Sequence, residues 1–146
     1  MTSYLDSSVL VAALIEDEPA HESCLQLLRG KNLVAWSHAL AESYSTLTGG
    51  RLGIRVSPAI ATELIEASLL PRLQLVDLTG QDLMNAIRGT HAIGARGGAV
   101  YDFLHLTAAR NAGAKALFTL DTRHFEVITR KGDPEVKRPV AVESKR

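Results

Sequence analysis

The sequence predicts an α/β fold: a three-layer α/β/α domain around a parallel sheet of four to five strands. Short apolar runs recur at residues 3–6, 33–37, 73–77 and 116–120. Segments whose apolar residues fall at helical spacing lie between them, and glycine and proline punctuate the junctions. Strands separated by helices imply parallel pairing with right-handed crossovers and a sheet covered on both faces.

Taken in order, residues 3–6 form the first strand and residues 9–15 the first helical region. Residues 19–28 begin with Pro19, suited to a first helical turn, and carry Cys24, Leu25, Leu27 and Leu28. The second strand leads into a helix over residues 39–47, stopped by Gly49-Gly50. Ser57-Pro58 reads as N-cap and first residue of the next helix, with Ile60, Leu64, Ile65 and Leu69 on one face. Thr79 caps another, running through Leu83, Ala86 and Ile87. The loop Gly94-Ala-Arg-Gly-Gly98 breaks the chain before a helix over residues 100–112, closed by Gly113. A fifth, edge strand is expected at residues 139–142, despite Pro139.

With 146 residues the chain suits a single domain, residues 1–146, with its core in residues 3–125. Sixteen basic residues balance sixteen acidic ones, which argues against a protein that coats nucleic acid by bulk charge but not against one local contact patch. Arg130, Lys131, Lys137, Arg138, Lys145 and Arg146 make residues 130–146 a basic tail. The lone Cys24 cannot form an internal disulfide and reads as a small buried hydrophobe, natural in a reducing cytoplasm. The apolar run 9–15 is too short to span a bilayer and lacks a basic leader, so neither signal peptide nor membrane anchor is expected.

Parallel sheets bind ligands beyond the carboxyl ends of their strands. Four acids stand there. Asp6 ends the first strand, Glu42 lies in the first turns after the second, Asp102 opens the helix after the glycine loop, and Asp121 ends the strand Ala116-Leu-Phe-Thr-Leu. Singly, each suits a helix cap or first turn. Jointly, they gather at one end of one sheet, where mutual repulsion favours protons or cations. Hard oxygen donors suit Mg²⁺ or Mn²⁺, and no Cys/His spacing for zinc is present. Acids with a divalent ion are equipped for phosphodiester hydrolysis. Ser8 is in reach of Asp6 or a metal-bound water, with helix capping by Ser7 or Ser8 as the alternative. Thr119 shares the strand face of Asp121 and either turns its hydroxyl toward the site or is a plain strand threonine.

Four stretches in this order resemble PIN-domain ribonucleases, and among them the VapC toxins: Tyr4-Leu-Asp-Ser-Ser-Val-Leu-Val, Ala39-Leu-Ala-Glu42, Gly97-Gly-Ala-Val-Tyr-Asp102-Phe-Leu-His-Leu, and Leu117-Phe-Thr-Leu-Asp121-Thr-Arg-His-Phe125. The likeness covers residues 3–125. It implies a five-stranded parallel sheet, a homodimer, a VapB-type antitoxin that blocks the site, and endonucleolytic cleavage of tRNA or ribosomal RNA. By position, Asp6, Glu42, Asp102 and Asp121 match the four acids of the metal site, and Ser8 and Thr119 their polar supports. Residues beyond Phe125 match nothing specific.

Other residues compete for a role. The five histidines invite a metal-free acid–base nuclease. His105, however, shares the helix face of Asp102 and suits a buried hydrogen-bonding role, His21 and His91 read as surface residues, and His38 and His124 stay open. Asp77 is explained by a turn, and Glu63 and Glu66 by a wet helix face. Arg96, in the glycine loop, is the candidate phosphate contact. A phosphoacceptor receiver would need an acidic pair after the first strand and a lysine closing a late one, and both are lacking. A non-catalytic RNA- or partner-binding scaffold keeps the fold but leaves the complete acid set unexplained.

Overall fold

The computed structural model describes residues 1–50 and 53–141. In chain order the elements are β1 (Ser3–Leu5), α1 (Ser7–Leu14), α2 (His21–Leu28), β2 (Leu33–Trp36), α3 (His38–Gly49), α4 (Pro58–Leu64), β3 (Gln74–Val76), α5 (Gly80–Ala92), α6 (Ala99–Asn111), β4 (Ala116–Phe118), α7 (Thr122–Glu126) and β5 (Glu135–Lys137). Helix α4 runs on through a wider π turn at Ile65–Leu69. The five strands form one parallel sheet in the order β3-β2-β1-β4-β5.

Side chains alternate across the central strands and both faces are buried. Leu5, Leu33 and Ala35 face α1, α2, α3 and α4, where Leu10, Cys24, Leu47 and Ala61 complete one core. Tyr4, Val34, Trp36 and Leu117 face α5, α6 and α7, where Ala86, Leu106 and Phe125 complete the other. The expected three-layer α/β/α architecture is thus observed. Burial also pushes the Cys24 thiol up to about 11, so it behaves as a core hydrophobe rather than a reactive group.

The caps follow the sequence. The Ser57 hydroxyl accepts the Ile60 N–H, and Thr79 and Asp82 form a reciprocal capping box. Gly50 and Gly113 stand after α3 and α6 in the left-handed region, φ +73° and +68°. Helix α2 starts at His21 instead of Pro19, which lies in the preceding turn where the His21 N–H meets the Glu18 carbonyl. His21 is not a plain surface residue, since its Nδ1 lies 2.9 Å from the Ala12 carbonyl and ties α2 to α1.

The fifth strand is displaced from its expected place. It is Glu135–Lys137, paired with Ala116–Phe118, and not residues 139–142. Buried prolines at 134 and 139 bracket it, because neither can donate to the ladder. The charge–apolar–charge pattern suits an edge strand with one face exposed. The basic tail therefore begins as part of the sheet. Val142, Lys145 and Arg146 lie outside the described residues.

One ion pair anchors this last strand. Arg110, in the final turn of α6, donates from Nε and Nη2 to the two oxygens of Asp133, each at 2.7 Å, and the Arg130 N–H adds a third bond. These bonds, chiefly those from Arg110, hold the Asp133 carboxyl below its usual range. A depressed acid contributes stability above its unfolded pKa and loses it as pH falls through the folded value. Asp133→Asn is expected to cost about 1 kcal/mol at neutral pH. Thermal melts should show that difference shrinking through the acid range, whereas equal neutral melting temperatures would show that the pair contributes nothing.

Candidate active site

The order β3-β2-β1-β4-β5 has its switch point beside β1, where the chain winds outward in both directions. A crevice opens at the carboxyl ends of strands at such a point. Asp6 leaves β1 there and Asp121 follows β4. The Asp6 N–H donates to the Phe118 carbonyl at 3.1 Å, which stitches the two strand ends together.

Asp6 is buried, only 7% exposed, yet its carboxylate is supported. The Ser8 hydroxyl donates to Oδ1 at 2.5 Å, the Val9 N–H donates to the same oxygen at 3.3 Å, and Ser8 Oγ accepts the Leu120 N–H. Of the readings of Ser8, the bond to Asp6 is observed, whereas neither Ser7 nor Ser8 is the cap: Asp6 caps α1 and Ser8 steadies it. Thr119 is fully buried, and its hydroxyl accepts the Asp121 N–H, so it shapes the turn that presents Asp121.

Asp102 stands in the first turn of α6, half-buried. Burial raises its pKa, and the charges of Asp6 and Asp121 push it the same way, against His124 and His105. Asp102 therefore senses two of the other acids. His124, exposed on α7, brings Asp102 and Asp121 to a single point: its Nδ1 lies 3.1 Å from Asp121 Oδ2 and 3.6 Å from Asp102 Oδ2. The sequence left this histidine open, and its i,i+3 spacing from Asp121 was the available signal.

Glu42 is held from beneath by a buried relay. The Trp36 N–H donates to the Tyr4 hydroxyl at 3.2 Å, Tyr4 lies 2.6 Å from His105 Nδ1, and His105 Nε2 lies 2.8 Å from Glu42 Oε1. Because Tyr4 already accepts from Trp36, its own proton goes to Nδ1. His105 then carries its proton on Nε2 and donates it to Glu42. Burial, with smaller contributions from Asp6 and Glu42, keeps the Tyr4 phenol well above its usual pKa, so it stays a donor. The expected buried role of His105 is what the geometry gives. Tyr4 read as an ordinary strand residue, and nothing in its local pattern marks it.

Arg96 is exposed in the loop between α5 and α6, where its carbonyl accepts the Ala99 N–H and its guanidinium bonds none of the described residues. No three acid, imidazole or thiol groups among the described residues converge as a ready metal cage. The convergence present is that of Asp102 and Asp121 upon one point, with Asp6 close enough to be felt.

With this fold and acid cluster in place, the comparisons are consistent. A PIN-domain family model matches residues 3–131. Ribonuclease VapC40 of Mycobacterium tuberculosis is 35% identical over 127 residues, covering 86% of this chain and 90% of the relative. In shape, the crystal structure of M. tuberculosis VapC20, a Sarcin-Ricin loop cleaving toxin, matches with a TM-score of 0.69 at 16% identity, over 91% of this chain and all of that one. VapBC2 from Rickettsia felis, bound to a DNA fragment from its promoter, matches with a TM-score of 0.66 at 17% identity, over 94% of this chain and 98% of that one. The chain belongs to the PIN-domain family.

Two outcomes test this geometry. Asp102 carries a raised pKa, so the fold loses stability as pH climbs through that value. With chelator present, Asp102→Asn should melt at or above the wild-type temperature near neutral pH, and the gap should close on acidification. An unfolded variant would mark Asp102 as a structural cap. For the relay, long-range ¹H–¹⁵N spectra should show His105 with its proton on Nε2. Tyr4→Phe should abolish that single tautomer and cost about 1–3 kcal/mol for the orphaned buried groups; an unchanged spectrum would refute the relay.

Proposed function

We propose that this chain is a divalent-metal-dependent endoribonuclease, the toxin of a VapBC-type toxin–antitoxin pair, which inhibits translation by cleaving tRNA or ribosomal RNA. The observation that carries the reading is the meeting of the Asp102 and Asp121 carboxylates at one point beside buried Asp6. The likeness to the ribonuclease VapC40, to the Sarcin-Ricin loop cleaving toxin VapC20 and to VapBC2 supports it.

The donor chemistry fits Mg²⁺, with Mn²⁺ as substitute. Mg²⁺ takes one or two carboxylates and keeps several waters, so a pre-built protein cage is not required. Asp102 and Asp121 would hold the ion, with Asp6 and Glu42 completing the acidic surround. When bound, the ion would supply charge neutralisation at the phosphodiester and activation of a water. The chain's own residues do the positioning. Ser8 and the Val9 N–H hold Asp6 in place, Thr119 fixes the Asp121 turn, and Tyr4 with His105 turns Glu42 toward the cleft. His124, whose Nδ1 lies between Asp102 and Asp121, would yield to the ion. Arg96 would meet a substrate phosphate.

We further propose that the chain works in the cytoplasm as a homodimer forming one domain over residues 1–146. Among the described residues no helix is long and apolar enough to cross a membrane. A VapB-type antitoxin would cover the site, most simply by placing an arginine or lysine among Asp6, Glu42, Asp102 and Asp121.

The test is cleavage of RNA by purified protein. Activity should require Mg²⁺ or Mn²⁺, stop with EDTA, and fall at least about 10²-fold in Asp102→Asn, on the scale seen when one preorganised electrostatic group is removed. Products should carry 5′-phosphate and 3′-hydroxyl ends, since water attacks without the 2′-hydroxyl. Full cleavage in EDTA, or 2′,3′-cyclic phosphate ends, would move the chemistry to the histidines.

A further inference from the structure

A run of three aromatic rings climbs from the core to the surface beside the acids, and the hydrolytic chemistry has no use for it. Trp36, at the end of β2, is buried. Its ring centroid lies 4.5 Å from that of His38, the first residue of α3. The His38 ring in turn lies parallel to that of Tyr101, with an interplanar angle of 3° and centroids 5.9 Å apart. Tyr101 ends the run 44% exposed.

The position of these rings is specific. His38 lies one helical turn ahead of Glu42, on the same face of α3. Tyr101 immediately precedes Asp102 on α6. The two outer rings therefore rim the acidic cleft, and with Ser45, Thr46 and Gly98 they line a groove of about 580 Å³. That volume suits a small organic ligand. Gly98 leaves the groove wall open, since a Cβ built there would meet nothing within 4 Å. The remaining lining is polar, with the hydroxyls of Ser7, Ser45 and Thr46 and the carboxylate of Glu42 against the single methyl of Ala41. An aliphatic partner surface would find little to pack on. A flat, π-faced group with hydrogen-bonding edges would find both a ring to stack on and hydroxyls to meet.

We propose that this groove is a nucleobase subsite: an unpaired base of the RNA strand stacks on the Tyr101–His38 pair, and its phosphate is thereby carried toward Asp102. The proposal rests on the ribonuclease reading above and adds the side chains that would hold a base beside the acids. A base inside a duplex has both faces covered by its neighbours, so only a single-stranded or looped-out base can take this position. Stacking on an aromatic side chain is tolerant of base identity, and the hydroxyls of Ser45 and Thr46 supply what selectivity there is at the base edge.

Trp36 is the only tryptophan of the chain and touches the base of the ladder, so it reports on the groove directly. The experiment titrates wild type, Tyr101→Leu and Tyr101→Phe with a short single-stranded RNA, and with the same RNA lacking one base, following Trp36 emission with Ca²⁺ in place of Mg²⁺. The intact RNA should shift the emission, and loss of the base should weaken binding. Tyr101→Leu should weaken binding of the intact RNA by about 5- to 100-fold, the range for one base stack, and Tyr101→Phe should restore it. Should wild type cleave RNA while neither the base deletion nor Tyr101→Leu changes affinity, the subsite is wrong and the nuclease reading stands. If wild type neither binds nor cleaves any RNA, both fall. Should Tyr101→Leu lose a purified antitoxin but keep its RNA affinity, the ladder is a protein contact and the proposal is overturned.

Discussion

The parallel pairing of β1 with β4 brings two strand ends to one edge of the sheet, and the placement of the acids follows from it. Parallel strands that are neighbours in the sheet release their chains on the same side. Here the release points are Asp6 and Asp121, with the Asp6 N–H bonded to the Phe118 carbonyl and the Leu120 N–H bonded to Ser8. The chain winds away from β1 toward β2 and β3 on one side and from β4 toward β5 on the other. Two further helices contribute acids near their N-terminal ends, Glu42 from α3 and Asp102 from the first turn of α6.

Gathering carboxylates at a half-buried edge carries an electrostatic cost, and the surrounding structure limits it without removing it. Buried Asp6 takes two hydrogen bonds, and Glu42 takes one from His105. Among the described residues no buried side-chain nitrogen or oxygen is left without a partner. Yet Asp102 still sits with a raised pKa because burial and two neighbouring charges oppose its ionisation. A site that is hydrogen-bonded but still under-neutralised favours a cation. His124 stands where such a cation is wanted, between Asp102 and Asp121.

The same arrangement separates rigid parts from adaptable ones. Tyr4, Trp36 and His105 are buried and joined through the sheet and α6, so Glu42 is aimed by groups that cannot easily move. Asp121, just ahead of short α7, and His124, on it, are both exposed. The aromatic pair His38 and Tyr101 shares this mixed character, since its inner end rests on buried Trp36 and its outer face is open.

Much of this was already determined by local sequence. Periodicity, the Ser57 and Thr79 caps and the glycine stops mark helices whose ends depend on neighbouring residues alone. Asp6, Glu42, Asp102 and Asp121 were readable only jointly: each alone suits a helix cap or first turn, but all four fall at one end of one sheet. The tertiary structure decided the rest. Strand β5 was misplaced because an edge strand buries only one face, and three residues with charged ends carry almost no hydrophobic signal. The Trp36–Tyr4–His105–Glu42 relay joins residues up to 101 positions apart, so it exists only once β1, β2 and α6 are in register. The same holds for His124 between two acids and for the His38–Tyr101 stack. Side-chain type and spacing reveal which face a residue takes on its own element, but which residue of another element meets it is set by how the sheet and helices pack.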